Sequence, residues 1–423
     1  MWSSFARRLC VGVLLLLPVA VFAETEAPLE GPPIRLAQAI AQALEKNPDL
    51  AAFGYEFRAQ DGRSVQAALV PNPLLNLTVE DALGSGARSG IDNAEFTISL
   101  SQVLERGARQ GRIALASAGR DKLAATQLEK LVDTAAETAR RYGHVLSDQA
   151  QLVVTHEAIE LAQQTVDMAR KRVKAGAVPS AEVARAMAAL ARAELEHEHA
   201  EHELLTSRRQ LASLWGDREP AFGTALGDLM VLPELAPFEA LAERLQANPA
   251  LLAFIAEQRV RDAELRLAEQ RRKPAWQVSA GLRRYQSGND FAGVFGLSIP
   301  LGVRDAAQGA VAEARALSEQ VSVQRTAAET RGLTQLFELF QELKHARTAA
   351  DTLDRAVLPQ MNEALRQTEY AYSRGRYGYQ ELIAAQKELL EARRARIQAA
   401  ADGWGFATEI DRLTGALPAR TTP

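Results

Sequence analysis

Cysteine is the scarcest residue here: the chain of 423 residues has one, Cys10. No internal disulfide can form, and thiol chemistry has nothing to act through once the N-terminal segment is removed. Aromatic residues make up only 6%. A basic excess is lacking too. Lys and Arg number 49 against 53 Asp and Glu, a formal net charge of −4, which argues against a nucleic-acid partner. Catalytic signatures are missing: there is no G-x-S-x-G, no H-E-x-x-H and no P-loop. We expect no catalytic residue, no cofactor and no enzyme activity. The stretch GSGARSG (84–90) has the wrong spacing for a dinucleotide-binding loop, and a strand pattern follows it instead of a helix. It reads as a turn. Beyond the N-terminus no apolar run is long enough for a spanning helix. That excludes a helical membrane protein but says nothing against strands, which escape such a test.

The N-terminus supplies an address. Arg7 and Arg8 precede the apolar run VGVLLLLPVAVFA, which closes on Val21-Phe22-Ala23. A positive start, a short apolar core and small residues at the −3 and −1 positions describe a secretory signal peptide over residues 1–23. Arg-Arg-Leu before Cys10 is a poor acylation context, so no lipid anchor is expected. Cleavage after Ala23 leaves 47 Lys and Arg against 53 Asp and Glu, a net charge of −6.

The mature chain is written twice. LAQAIAQALEKNPDLAAF (36–53) matches LAERLQANPALLAF (241–254), aligning Asn47-Pro48 with Asn248-Pro249. Pro73 matches Pro274, Gln110-Gly111 matches Gln308-Gly309, and Gly176 matches Gly375. Landmarks in one order at an offset of about 200 residues indicate duplication. The first repeat runs over 24–215 and the second over 238–416. A Gly- and Pro-rich linker, 216–237, lies between them, and a tail, 417–423, follows.

Each repeat carries two segments of strict alternation. In AEFTISLS (94–101), Ala94, Phe96, Ile98 and Leu100 share one face, and Glu95, Thr97, Ser99 and Ser101 share the other. A period of two is a strand signal. Strands are expected at about 74–81, 94–103, 275–284 and 291–301. Otherwise the chain reads as helix, and two stretches are very long. From Gly107 to Gly176 there is no proline, and about 70 helical residues would extend roughly 105 Å. Val145, Leu152, Ile159, Val166 and Val173 recur with the spacing of a coiled-coil seam. In the second copy Pro359 should kink the helix or mark a junction. Helical hairpins should reverse at about 174–181 and 373–380. Helices of this length argue for a tube or stalk and against a compact enzyme.

The apolar strand faces need a cover. No globular sequence remains to provide one, whereas a bilayer accepts them if every strand edge is paired. Four strands are too few to close a barrel, where eight is the usual minimum. Several chains must therefore contribute, and three would supply twelve strands. On this reading Phe96, Ile98, Leu100, Trp276 and Phe295 face lipid. Glu95, Thr97, Ser99, Gln277 and Arg283 face a water-filled lumen. Exported strands of this kind belong in a bacterial outer membrane.

The duplicated Asn-Pro helices, strand pairs and Gly-containing tips resemble the TolC-type outer-membrane efflux proteins. PNPLLNLTVED (71–81), AEFTISLSQVLERGARQGR (94–112) and RQLASLWG (209–216) look most similar to the heavy-metal branch, typified by the outer component of cobalt–zinc–cadmium resistance systems. The resemblance implies a mostly α fold with a small membrane β part. A homotrimer would build a twelve-stranded barrel continuous with a periplasmic α-helical barrel. It also implies a periplasmic membrane-fusion adaptor and an inner-membrane, proton-driven resistance-nodulation-division pump as partners. The cargo implied is divalent heavy-metal cations, conducted passively. The same fold also serves drug or solvent efflux and type I protein secretion.

The resemblance puts adaptor binding at the hairpin tips: Arg172, Gly176, Val178, Ser180 and Glu182 in the first, and Arg374, Gly375, Tyr377 and Glu381 in the second. Gly alone would be needed simply to reverse the chain. Glu381 matches a position that lines the pore entrance in some family members, where symmetry would make a ring of carboxylates. Read without the family, it is equally a solvated helix charge. A second such ring would need an acid at Ala384, and none is there. In EHEHAEHE (196–203), His199 and His202 lie three apart on one helical face, a spacing that suits a divalent metal. A Glu-rich solvated surface is the simpler reading, and no metal site is assigned.

Overall fold

Asn47 and Asn248 make equivalent helix caps. In a computed structural model that describes residues 31–301, 305 and 307–416, each Asn caps a helix beginning at the following Pro. Asn47 Oδ1 accepts from the backbone N–H groups of Asp49 (2.9 Å) and Leu50 (3.1 Å). Asn248 Oδ1 accepts from Ala250 N–H at 2.7 Å. Each amide then donates to the end of its own repeat's return helix, Asn47 to Leu214 O and Asn248 to Leu413 O, both at 2.8 Å. Pro suits the first helical turn, where its missing N–H would lack a partner anyway. The signal peptide and the tail 417–423 lie outside the described residues.

The first repeat comprises α1 (Leu36–Lys46), α2 (Pro48–Ala68), β2 (Leu74–Glu80), β3 (Glu95–Leu104), α3 (Ala108–Lys174) and α4 (Ala181–Ala212). A short strand β1 (Ile34–Arg35) precedes it. The second comprises α5 (Phe238–Leu245), α6 (Pro249–Gln270), β5 (Trp276–Tyr285), β6 (Asp290–Ser298), α7 (Gln308–Thr352), α8 (Leu358–Ser373) and α9 (Tyr379–Leu413). Between the repeats, β4 (Ala225–Leu226) pairs in parallel with β1.

With 67 residues, α3 is roughly 100 Å long. It starts directly after the sheet and ends at the first tip, which sets the distance between those two features. Its counterpart is interrupted. A π-helical turn, Leu353–Val357, joins α7 to α8, and Leu358 N–H bonds to Leu353 O across it. Pro359 follows at the start of α8. Its ring would clash with a carbonyl one α-turn earlier, and the wider turn removes that clash. The chain passes Pro359 through a bulge rather than a break.

The linker is packed. Phe222, Ala225 and Leu229 are buried with Tyr142, Leu146, Leu204, Trp215 and Trp404, where α1, α3, α4 and α9 meet. Tyr142 Oη donates toward Ile34 O (2.9 Å) and Leu226 O (2.6 Å), fastening the β1–β4 pair to α3. Burial pushes this phenol up to about 12, outweighing its backbone hydrogen bonds. At Gly143, α9 comes close: a Cβ there would collide with the Trp404 indole, whose Nε1 donates to Ala139 O at 2.8 Å.

The four long strands form one antiparallel sheet in the order β2-β3-β5-β6. The two hairpins are therefore joined edge to edge through β3 and β5, where Ile98 faces Leu282 and Leu100 faces Ala280. β2 and β6 are its free edges.

Candidate functional site

Residues opposite one another in an antiparallel ladder share a face. The register places Leu75, Leu77 and Val79 with Phe96, Ile98 and Leu100, and these with Val278, Leu282, Phe295 and Leu297. All of them are exposed, up to 74% at Leu77 and 84% at Phe295. This apolar face spans four strands, with Arg284 at its far end, and has no cover among the described residues. Trp276 differs from the others placed on it. It is half-buried, and the Arg106 guanidinium lies 4.8 Å from its ring centroid, at the sheet end nearest the helices. An indole with one apolar side and one charged neighbour suits a membrane–water boundary.

The opposite face carries Asn76, Thr78, Glu80, Glu95, Thr97, Ser99, Ser101, Gln277, Ser279 and Arg283. Arg283 organises the end away from the helices. It donates to Glu95 Oε2 at 2.6 Å, Glu80 Oε2 at 2.7 Å and Thr97 Oγ1 at 2.9 Å. Beyond it the loop after β2 closes on itself through Leu83 N–H to Gly90 O (2.8 Å) and an Arg88–Asp81 ion pair (3.1 Å).

At the far end, the two tips have the same backbone. Gly176 and Gly375 have φ of +72° and +71°, in the left-handed region that favours Gly. Ala177 N–H bonds to Arg172 O and Arg376 N–H to Ala371 O, both at 2.9 Å, closing equivalent helix ends. Gly176, Ser180, Arg374, Gly375, Tyr377 and Glu381 are exposed, and Val178 is half-buried. Arg374 lies 5.4 Å from the Tyr370 ring centroid.

The two acids that share a spacing from these glycines have different surroundings. Glu381 is exposed, and its carboxylate turns back to accept from Gly378 N–H at 3.0 Å, capping α9. Glu182 is shielded. Its Oε1 accepts from Tyr372 Oη at 2.5 Å and lies 3.5 Å from Arg172 Nη1. The Arg172 guanidinium carbon stacks 4.2 Å from the Tyr372 ring centroid. Tyr372 is fully buried, and burial, then the hydrogen bond and charge of Glu182, push its phenol up to about 12. Arg172 and Glu182 belong to the first hairpin and Tyr372 to the second, so this triad ties the hairpins together just above the tips. Tyr379 at the start of α9 adds an apolar contact, packing against the first hairpin around Val166, Ala169 and Ala186.

Sequence reasoning passed over Tyr372. The available signal was a mismatch: Tyr372 stands where the repeat offset places Val173. In the His-rich run, His199 lies 3.3 Å from Glu203. His197 instead reaches across to α3, where its ring lies 5.5 Å from that of His156.

Comparison with known proteins bears on the whole chain. Residues 39–217 match the family described as outer membrane efflux protein. The cobalt-zinc-cadmium resistance protein CzcC of Cupriavidus metallidurans is 29% identical over 383 residues, covering 90% of each chain. The nickel-cobalt-cadmium resistance protein NccC of Alcaligenes xylosoxydans xylosoxydans is 27% identical, over 77% of this chain and 75% of its own. Among solved structures, the transmembrane channel protein CusC superposes with a TM-score of 0.74 at 14% identity, over 93% of this chain and 96% of that one.

Proposed function

Because residues 39–217 match the outer membrane efflux protein family and the chain has the TolC-type fold, we propose that it is the outer-membrane channel through which a tripartite heavy-metal efflux system discharges divalent cations. Two observations carry this reading. One is the four-stranded sheet with an uncovered apolar face, a polar reverse face and two open edges. The other is the similarity to metal-resistance proteins over 90% of the chain.

Three copies, with β2 of each beside β6 of the next, would leave no unpaired edge in the bilayer. The polar face would then line the lumen, with a Glu80–Arg283–Glu95 cluster from each copy near the outer mouth. The long helices would continue the duct some 100 Å into the periplasm. Conduction is passive, and no covalent bond is made or broken. An inner-membrane pump supplies the energy, and a periplasmic adaptor docks on the exposed rim of the tips, at Ser180, Arg374, Gly375 and Tyr377. Docking that favours separated hairpins over the arrangement held by Arg172, Glu182 and Tyr372 would shift the population toward an open end.

The test is growth of a deletion strain on zinc, cobalt, cadmium and nickel, with hydrophobic drugs alongside. The strain is complemented with the native chain or with Arg374→Glu. Metal sensitivity should be restored to resistance by the native chain, while Arg374→Glu fails although its trimers assemble. Sensitivity to drugs alone would overturn the metal assignment. Full complementation by Arg374→Glu would overturn the docking assignment.

A further inference from the structure

A cavity of about 750 Å³ lies where the sheet passes into the helices. Its floor is α3, and α2 and α6 form its walls. Both walls come close because α3 has Gly where they touch it. A Cβ at Gly119 would meet Gln60 of α2, and one at Gly111 would meet Leu267 of α6. Leu115 lies between them on the floor, and Leu69, Val70, Val260 and Leu267 continue an apolar lining. The volume falls within the range of about 300–1,000 Å³ usual for small-molecule sites.

The charges that line it do not cancel. Arg112 is taken: it donates to both oxygens of Glu105, at 2.5 and 3.0 Å, and to Leu69 O at 2.9 Å. Glu264 is taken as well, accepting from Arg261 Nη1 at 2.9 Å. Arg63 and Arg271 remain. Arg63 Nε donates to Gln60 Oε1 at 2.6 Å, a neutral acceptor. Gln60 is buried and anchored in turn, its Nε2 donating to Ala116 O at 2.6 Å. Both Arg are exposed, and among the described residues neither has an ion-pair partner. Two uncompensated guanidinium groups beside an apolar hollow complement a ligand with an anionic head and an apolar body. A divalent cation would be repelled.

The sheet tells which way the cavity opens. Glu105 continues the alternation that puts Glu95, Thr97, Ser99 and Ser101 on the polar face. Its floor helix follows β3, an inner strand of the sheet, so a copy joined at the β2 or β6 edge would leave the cavity open.

We propose that this cavity is a luminal binding site for a small amphipathic organic anion, a sulfonate or carboxylate on an apolar body, held by Arg63 and Arg271 over the Leu115 floor. Its luminal position rests on the channel reading. The site itself does not, because purified protein reports it whatever the phenotype of a deletion strain.

The experiment is calorimetric titration of the detergent-solubilised full chain with sodium naphthalenesulfonate, with detergent micelles alone as the blank. The native chain should bind one anion per copy. Arg63→Gln and Arg271→Gln should each weaken binding roughly tenfold or more, the loss expected for one charge-assisted hydrogen bond. Arg259→Gln, on α6 but outside the cavity lining, should leave it unchanged. Uncharged naphthalenesulfonamide should bind far more weakly, and equimolar inorganic sulfate should not displace the anion. In planar bilayers the same anion should lower the single-channel current of the native chain and not that of the Arg63→Gln/Arg271→Gln double variant. Absence of binding by the native chain, native affinity in the double variant with its helix content intact, or displacement by sulfate would overturn the proposal. Binding without any effect on current would overturn the luminal position.

Discussion

Tyr372 carries the contact between the hairpins through one hydroxyl. Its donor bond to Glu182 is charge-assisted, and such bonds contribute about 1.5–3 kcal/mol. Tyr372→Phe deletes the donor and keeps the ring that stacks on Arg172. In planar bilayers the variant should show higher single-channel conductance than the native chain, and equal conductance would show that the triad only shapes the tip. The sign of the pH dependence follows from the shift. A phenol raised from 10.0 to about 12 in the folded state stabilises below pH 10, and that contribution is lost as pH rises through about 12. The native chain should therefore keep low conductance at physiological and mildly alkaline pH. Tyr372→Phe should lack the alkaline transition. Glu381, exposed at the start of α9, is placed to interact with solvent and with its own helix end, and not with the other hairpin.

Among the elements, α3 organises the rest: α4, α6 and α9 all pack along it. A helix this long lies far beyond what propensity alone sustains and depends on such packing. The approach of α9 is closest at Gly143, where the Trp404 indole occupies the space of a side chain. Gly143→Ala should cost about 1–3 kcal/mol by overpacking. The measurement is thermal unfolding followed by far-UV circular dichroism. An unchanged transition would mean that the indole moves aside freely. The π turn before Pro359 gives the second hairpin a flaw that the first lacks. Asp354, within that turn, pairs with Arg396 of α9 at 2.9 Å, so the bulge is tied to the neighbouring helix.

For the whole molecule, the sheet decides how copies assemble. Leu77 and Thr78 are neighbours on the edge strand β2 and point to opposite faces. An Arg on a lipid face near mid-bilayer costs about 2–4 kcal/mol, whereas lumen positions tolerate charge. Leu77→Arg should deplete heat-resistant trimers from the outer-membrane fraction, and Thr78→Arg should not. Equal yields would remove lipid as the cover for the apolar face.

Strand positions and helix lengths were legible because each is a local property. A period of two separates Phe96, Ile98 and Leu100 from Thr97 and Ser99 whatever lies nearby. Gly176 and Gly375 mark reversals because few other residues adopt a positive φ there. The pairings were not legible, since they depend on how distant segments align. The two hairpins merge into one sheet, β3 beside β5, at the end where α2 and α6 each pack on α3. Glu182 and Glu381 share a spacing in sequence, yet only Glu182 meets a residue of the other hairpin. His156 and His197 meet because α3 and α4 run antiparallel in one register, a relation that exists only after both helices have packed. The sequence by itself determined what each segment becomes, through periodicity and backbone sterics. Tertiary packing alone decided which segments meet, because contacts between remote residues follow from the summed burial of many side chains and from no single motif.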